Sequence, residues 1–281
     1  MESYGKGQRE WNPSRVVFMS EIKLFHGDCL EVMKQIPDHS VDMVLCDLPY
    51  GTTACRWDAV IPFQSLWEQY ERVVKDVGSI VLFGQEPFSS ALRMSNPRLY
   101  RYDWIWEKQR PSNFQLMNYQ CGRVHENIIV FSKANACYSS GNPTMTYNPQ
   151  KMRRKKARVS AKNTVYGNNI LHNYNKNAKE CSEKKTYDVK LPTSIIMFNT
   201  VERGKLHPTQ KPVDLLKYLI LTYTDEGDVV LDNCMGSGST GIACLETGRN
   251  FIGIEKDDHY FQVAKDRIEQ KQKQGIQGEL F

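Results

Sequence analysis

Residues 228–255 hold the feature that constrains this chain most. A short apolar run, 229–231, breaks into the loop Asp232-Asn233-Cys234-Met235-Gly236-Ser237-Gly238-Ser239-Thr240-Gly241, which leads into a helical pattern and a second apolar strand, 251–254, ending at Glu255. Strand, tight turn, helix and strand in so few residues make a βαβ unit, with its strands parallel in a sheet covered by helices. The glycines let the loop turn sharply and approach a ligand closely, and the following helix offers free N–H groups. Glu255, nineteen residues past Gly236, stands at the tip of the neighbouring strand, where a carboxylate can accept both hydroxyls of a ribose. Taken alone, the loop matches the dinucleotide fingerprint G-x-G-x-x-G and also reads as a plain glycine turn. A dinucleotide needs a second mononucleotide half, and only forty residues follow Gly241, so the motif points to a single adenosine-bearing ligand.

The rest of the chain fits around that unit. Its 281 residues, 40% apolar, suffice for one large α/β domain with an insertion or for two small domains. From 22 to 134, strand patterns at 41–46, 79–83, 102–106 and 127–131 surround an amphipathic helix near 63–74. From 212 the pattern returns: helix 213–223, strand 229–231, helix 239–246, strand 251–254 and helix 260–270, with a stop expected at Gly275. Residues 135–205 show no sustained periodicity and read as a loop-rich insertion. The expected organisation is one domain made of 22–134 and 206–274, an inserted region 135–205, and a tail 275–281.

Charge marks the insertion. The chain carries +5, but residues 151–190 hold twelve basic and three acidic side chains, so this stretch is +9 and everything else sums to −4. Its densest run is Arg153, Arg154, Lys155, Lys156 and Arg158, with Tyr147, Tyr166, Tyr174, Asn168, Asn169, Asn173 and Asn175 interleaved or nearby. Such side chains neutralise phosphates and reach base edges, although a charge run is as often a solvated face. The eight cysteines are scattered with no C-x-x-C pair, which predicts reduced thiols and no metal site. No apolar run is long enough to cross a bilayer and no signal peptide begins the chain, so a cytoplasmic protein with no membrane contact is expected.

A second motif sits where strand 41–46 stops: Asp47-Leu48-Pro49-Tyr50. Ligands bind at the carboxyl ends of parallel strands. Pro49 stiffens the turn and biases Leu48 away from helix, so a carboxylate, a carbonyl and an aromatic ring face one pocket. In isolation the tetrapeptide also reads as an ordinary strand exit. As a site it suits an aminated base taken out of its stack, with a ring to lie against it and acceptors for both amine hydrogens. His125 and His207 lie near motifs but receive no catalytic role, and Trp104 and Trp106 read as core.

Together, Asp47-Leu48-Pro49-Tyr50 and the loop from Asp232 to Gly241 resemble the catalytic and cofactor motifs of amino-methylating DNA methyltransferases. Their order, with the basic insertion between them, resembles the permuted beta class. His26-Gly27-Asp28-Cys29-Leu30 and His207-Pro208-Thr209-Gln210-Lys211-Pro212 look like that class's cofactor-side motifs. The resemblance covers most of 24–268. It implies a Rossmann-like, mostly parallel seven-stranded sheet, S-adenosylmethionine over the glycine loop, and a target-recognition region in the insertion that binds double-stranded DNA. It also implies roles. Asp47 and the Leu48 carbonyl accept from the target amine in the turn set by Pro49, and Tyr50 stacks on the flipped base. Asp232, with Asn233, Cys234, Gly236, Ser237 and Gly238, holds the methionine end of the cofactor. Glu255 takes its ribose and Asp28 its adenine, and Thr209 and Lys211 join the cofactor set. This sequence departs from the family pattern in two places: Leu48 replaces the first of two usual prolines, and Asn233-Cys234 replace the usual Pro-Phe.

What the resemblance implies is site-specific methylation of adenine N6 in DNA, by an enzyme of a restriction-modification system or a solitary one. Cytosine N4 offers the same two hydrogens and remains the nearest alternative. An RNA substrate and a non-catalytic DNA-binding protein of the same fold are others. The tail residues Gln277, Leu280 and Phe281 look similar to short motifs that dock on bacterial sliding clamps, or they pack on their own domain. A homodimer is one assembly the sequence allows.

Overall fold

The computed structural model describes residues 20–51, 58–138, 141–160, 185–201, 204 and 206–278. Tyr166, Asn168, Asn169, Asn173, Tyr174, Asn175, Leu280 and Phe281 therefore lie outside the described residues, as do the side chains of Arg154, Lys155, Arg158 and Gln277.

The chain builds β1 (Ile22–His26), α1 (Cys29–Met33), β2 (Val41–Cys46), α2 (Phe63–Val73), β3 (Val74–Gly84), α3 (Phe88–Ser95), β4 (Tyr100–Glu107) and β5 (His125–Phe131). A ribbon of β6 (Met152–Ser160) and β7 (Lys185–Lys190) follows, then β8 (Ile195–Met197), α4 (Val213–Tyr223), β9 (Val229–Asp232), α5 (Ser239–Thr247), β10 (Asn250–Glu255) and α6 (Asp258–Gly278). The main sheet runs β1-β10-β9-β2-β3-β5-β4-β8, parallel except for β5, which is antiparallel to both neighbours.

Both faces of this sheet are covered, so its central strands are apolar throughout instead of alternating. On β2, Val44 and Cys46 join a core with Met33, Leu66, Tyr70 and Leu92 from α1, α2 and α3. Met43 and Leu45 join the opposite core with Leu215, Leu219, Ile242 and Ile268 from α4, α5 and α6. Each half of the sequence thus supplies the helices for one face. The halves meet where β2 pairs with β9, Met43 against Val230 and Val44 against Leu231. From there the chain leaves β9 toward β10 and β2 toward β3, and this divergence opens a crevice at the carboxyl ends of the two strands.

Six strands of the main sheet lie where the sequence placed them; β1 was not located, and the eighth, one more than the resemblance implied, is β8, which comes from the segment read as insertion and lies parallel to β4. Three residues are too few to show a period. The insertion is less loop-like than expected, because β6 and β7 pair as an antiparallel ribbon. Its cations had masked any alternation. α3 was not foreseen either, and α6 runs past Gly275 to Gly278 instead of stopping there. A glycine inside a helix costs only about 1 kcal/mol, so its presence alone does not end one. Among the described residues no helix is long and apolar enough to cross a membrane.

Tyr223 ties the two halves together. Fully buried at the end of α4, its hydroxyl accepts from Trp104 Nε1 on β4 at 2.5 Å and lies 3.0 Å from the Tyr102 hydroxyl. Tyr223→Phe leaves the indole N–H without that acceptor, and the unfolding free energy in urea is expected to fall by about 1–3 kcal/mol. An unchanged value would show that the bond contributes nothing.

Candidate active site

A cavity of about 540 Å³ occupies the crevice. Asp28, Asp47, Leu48, Pro49, Tyr50, Thr209, Lys211, Asp232, Asn233, Cys234, Gly236, Ser237 and Glu255 all line it, so segments from both halves of the chain meet there. Gly238 is not among the lining residues. It adopts φ +74°, and a Cβ there would stand 3.1 Å from both Ala264 and Ile268, so its lack of a side chain lets the loop lie against α6.

The glycine loop is fixed from both sides. Gly236, at φ +51°, donates its N–H to Glu255 Oε2 at 2.8 Å, and Glu255 Oε1 accepts from the N–H groups of Lys256 and Asp257 at 2.9 Å. Three backbone donors thus hold the Glu255 carboxylate at the tip of β10. Asp232 is 4% exposed and accepts from Cys234 N–H at 3.2 Å and from the Thr240 hydroxyl at 2.6 Å. Burial outweighs these bonds and pushes its pKa up to about 6. Asp28 caps α1 through Leu30 N–H and pairs with Lys256 at 3.0 Å, and that bond holds its pKa below the usual carboxylate range. Asn233 accepts from the buried Tyr70 hydroxyl at 2.6 Å, which ties the loop to α2. Burial holds the pKa of His207 down at about 4, so its ring is neutral at pH 7, packed on Tyr260 and 3.0 Å from the Thr209 hydroxyl.

On the other side of the cavity, Asp47 follows β2 directly. Its Oδ1 accepts from the Tyr50 hydroxyl and its Oδ2 from Lys211 Nζ, each at 2.6 Å. The Tyr50 ring stacks on Phe88 with centroids 4.8 Å apart. Burial and the Asp47 charge push the phenol well above its ordinary pKa, so Tyr50 stays a donor. Leu48 is 3% exposed, its side chain in the core under α2. Gly51, at φ +69°, donates to Asp58 at 2.9 Å and closes the turn behind the tetrapeptide.

Lys211, grouped by its motif with the cofactor side, has its ammonium on the Asp47 side of the cavity. It lies 2.6 Å from Asp47 and 3.3 Å from Glu126, and Glu126 also pairs with Lys108. Burial raises the Asp47 pKa despite Lys211. Burial opposes the charges of Glu126 and Lys211 as well, yet their partners hold Glu126 below and Lys211 above the ordinary values. Sequence reasoning missed Glu126 and Lys108. Glu126 is a single charge in β5 and Lys108 the residue just past β4; the pairing of these two strands, Trp106 opposite Glu126, brings them together, and β5 lying next to β3 sets them beside the crevice.

The basic ribbon is rooted elsewhere. Asn148 N–H donates to Thr222 O and Gln150 Nε2 to Leu221 O, both at the end of α4 far from Lys211, roughly 16 Å along an eleven-residue helix. Arg153 and Lys156 are exposed on the ribbon, and neither lines the cavity.

Comparison with known proteins agrees with this geometry. The type II methyltransferase M.HinfI of Haemophilus influenzae is 28% identical over 272 residues, an alignment covering 87% of this chain and 67% of that protein. Among solved structures, the M1.HpyAVI–SAM complex superposes with a TM-score of 0.56 at 24% identity, covering 88% of this chain and 98% of that one. The cytosine-N4-specific PvuII DNA methyltransferase reaches a TM-score of 0.60 at 14% identity, covering 90% and 92%. These two likenesses establish the fold. The model of the N6_N4_Mtase family, described as DNA methylase, matches residues 41–266, from the start of β2 into α6, and the chain belongs to that family.

Proposed function

We propose that this protein transfers a methyl group from S-adenosylmethionine to the exocyclic N6 of adenine in double-stranded DNA, acting on a base turned out of the helix. The observation that carries this reading is that Asp47, Asp232 and Glu255, at the ends of three strands, line one cavity. Its volume lies in the range of small-molecule sites. The residues fit the cofactor: Asp232 is a buried carboxylate without a cationic partner among the described residues and suits an ammonium, and Glu255 suits a ribose. S-adenosylmethionine, when bound, supplies an electrophilic methyl carbon on a sulfonium, and the sulfur keeps the bonding electrons when that methyl leaves.

An exocyclic amine is a poor nucleophile because its lone pair is delocalised into the ring. Asp47 and the Leu48 carbonyl, accepting its two hydrogens, favour a pyramidal nitrogen with the lone pair free to attack. Asp47 keeps negative charge beside a nitrogen that becomes positive, and the raised pKa of its carboxyl suits it to receive the proton that nitrogen then sheds.

A DNA duplex is supported by two surfaces. The ribbon carries the exposed cations Arg153 and Lys156, with Arg154, Lys155 and Arg158 on the same strand. The β4–β5 hairpin continues beyond the sheet through Lys108 N–H to Val124 O and Ser112 N–H to Arg123 O, and exposes Phe114 and Tyr119 at its tip. It rises from the same sheet edge as Asp47, where apolar wedges can enter an opened base step.

Nucleoside mass spectrometry of DNA from cells expressing the protein tests this reading. N6-methyladenine is expected. N4-methylcytosine would keep the chemistry and change the base, and absence of any methylated base would end the proposal. The Asp232 assignment adds a pH dependence. The ammonium needs the carboxylate, whose pKa is about 6 before binding, so cofactor affinity should be flat above that pH and fall toward about tenfold per unit below it. Calorimetric titration between pH 5 and 8 checks this, and a flat profile would remove Asp232 from the cofactor site.

A further inference from the structure

Glu126 stands at the start of a strand whose other residues are apolar or neutral from Asn127 onward, and it is only 7% exposed. A carboxylate buried there needs a physical reason. Its two oxygens are unequally occupied. Oε1 accepts from Lys108 Nζ and from Gln85 Nε2, the latter at 3.1 Å. Oε2 is buried without a hydrogen bond, although Lys211 Nζ stands 3.3 Å away as an ion-pair partner. Lys211 meanwhile donates to Asp47 Oδ2. A buried acceptor left open beside a donor that is bound elsewhere is rare enough to call for an explanation.

Asp47 has the complementary problem. Each of its oxygens already accepts one hydrogen bond, Oδ1 from Tyr50 and Oδ2 from Lys211, so a target amine entering the cavity has to share an oxygen with one of these donors. Resting on the amino-methylation reading above, we propose that Glu126 is a positioning residue that takes the Lys211 ammonium from Asp47 as the target amine enters, freeing Asp47 Oδ2 to accept from it. The two acceptors lie 2.6 and 3.3 Å from Nζ, so the exchange is a small movement of one side-chain end. Lys108 and Gln85 steady Glu126 through its other oxygen.

The charges explain why a carboxylate is used. Asp47, Glu126, Lys108 and Lys211 carry two charges of each sign, so the exchange shifts a hydrogen bond without changing the net charge of a buried site. A neutral residue at 126 would leave Lys211 on Asp47. It would also leave an excess of positive charge next to an amine that must itself become positive.

Single-turnover methyl transfer, with enzyme in excess, from tritium-labelled S-adenosylmethionine to unmethylated bacterial DNA tests the proposal. Cofactor binding is measured alongside by calorimetry, for the wild type and for Glu126→Gln, Glu126→Asp and Asp47→Asn. Glu126→Gln is expected to slow transfer at least about tenfold with cofactor Kd within about twofold of wild type, and Glu126→Asp, which keeps the charge at shorter reach, to be about threefold slower than wild type. A Glu126→Gln variant with the wild-type rate overturns the proposal, as does one that loses rate and cofactor affinity in the same proportion. If Glu126→Gln does not fold, Glu126→Asp decides alone, and the same two outcomes overturn it there. The parallel variant separates this proposal from the reading beneath it. An active Asp47→Asn sinks the amino-methylation role of Asp47, whereas an inactive Asp47→Asn beside a fully active Glu126→Gln sinks the role of Glu126 alone.

Discussion

The backbone ladder between β2 and β9 is the constraint on which the site depends. These strands come from opposite halves of the chain, and their parallel pairing sets Asp47 and Asp232 side by side at one sheet edge. Hydrophobic burial enforces the pairing, because the helices of each half cover only one face. Neither half has a complete core without the other. Parallel strands joined through surface connections pack alike whichever connection carries the termini, so the half with Asp47 first and the half with the glycine loop last is a stable order.

Within that frame the two sides of the cavity use burial differently. Asp232 is desolvated without a cationic partner among the described residues, and its pKa climbs to about 6, which primes it for a cationic ligand. Asp47 is desolvated as well but has Lys211 on one oxygen, Tyr50 on the other, and Glu126 and Lys108 behind. A lone buried carboxylate would tend to protonate and lose its value as an acceptor. Lys211 and the Tyr50 hydroxyl oppose that protonation at Asp47, and they do so by occupying the same two oxygens that the proposed target amine would use.

How much was legible in the sequence follows from the range of each interaction. The glycine loop, the tetrapeptide and Glu255 are local signals, each set by a strand end and its turn, and the site residues they name, Gly238 apart, line one cavity. Helix 213–223 and strand 41–46 coincide with α4 and β2, because long apolar patterns have one reading. β8 was invisible because three residues carry no period, and the β6–β7 ribbon because its cations hide the alternation. Glu126 and Lys108 were missed for a different reason: their meaning arises from strand order in the sheet, which a pairwise reading of neighbours does not contain. Lys211 was seen through its motif, but the motif does not say which way its ammonium points.

A crystal structure with S-adenosylmethionine bound tests the central claim most directly. The account predicts the ammonium on Asp232, the ribose hydroxyls on Glu255 and the methyl carbon turned toward the Asp47–Tyr50 side of the cavity. A cofactor seated elsewhere, or held with its methyl facing away from Asp47 behind protein, would contradict it.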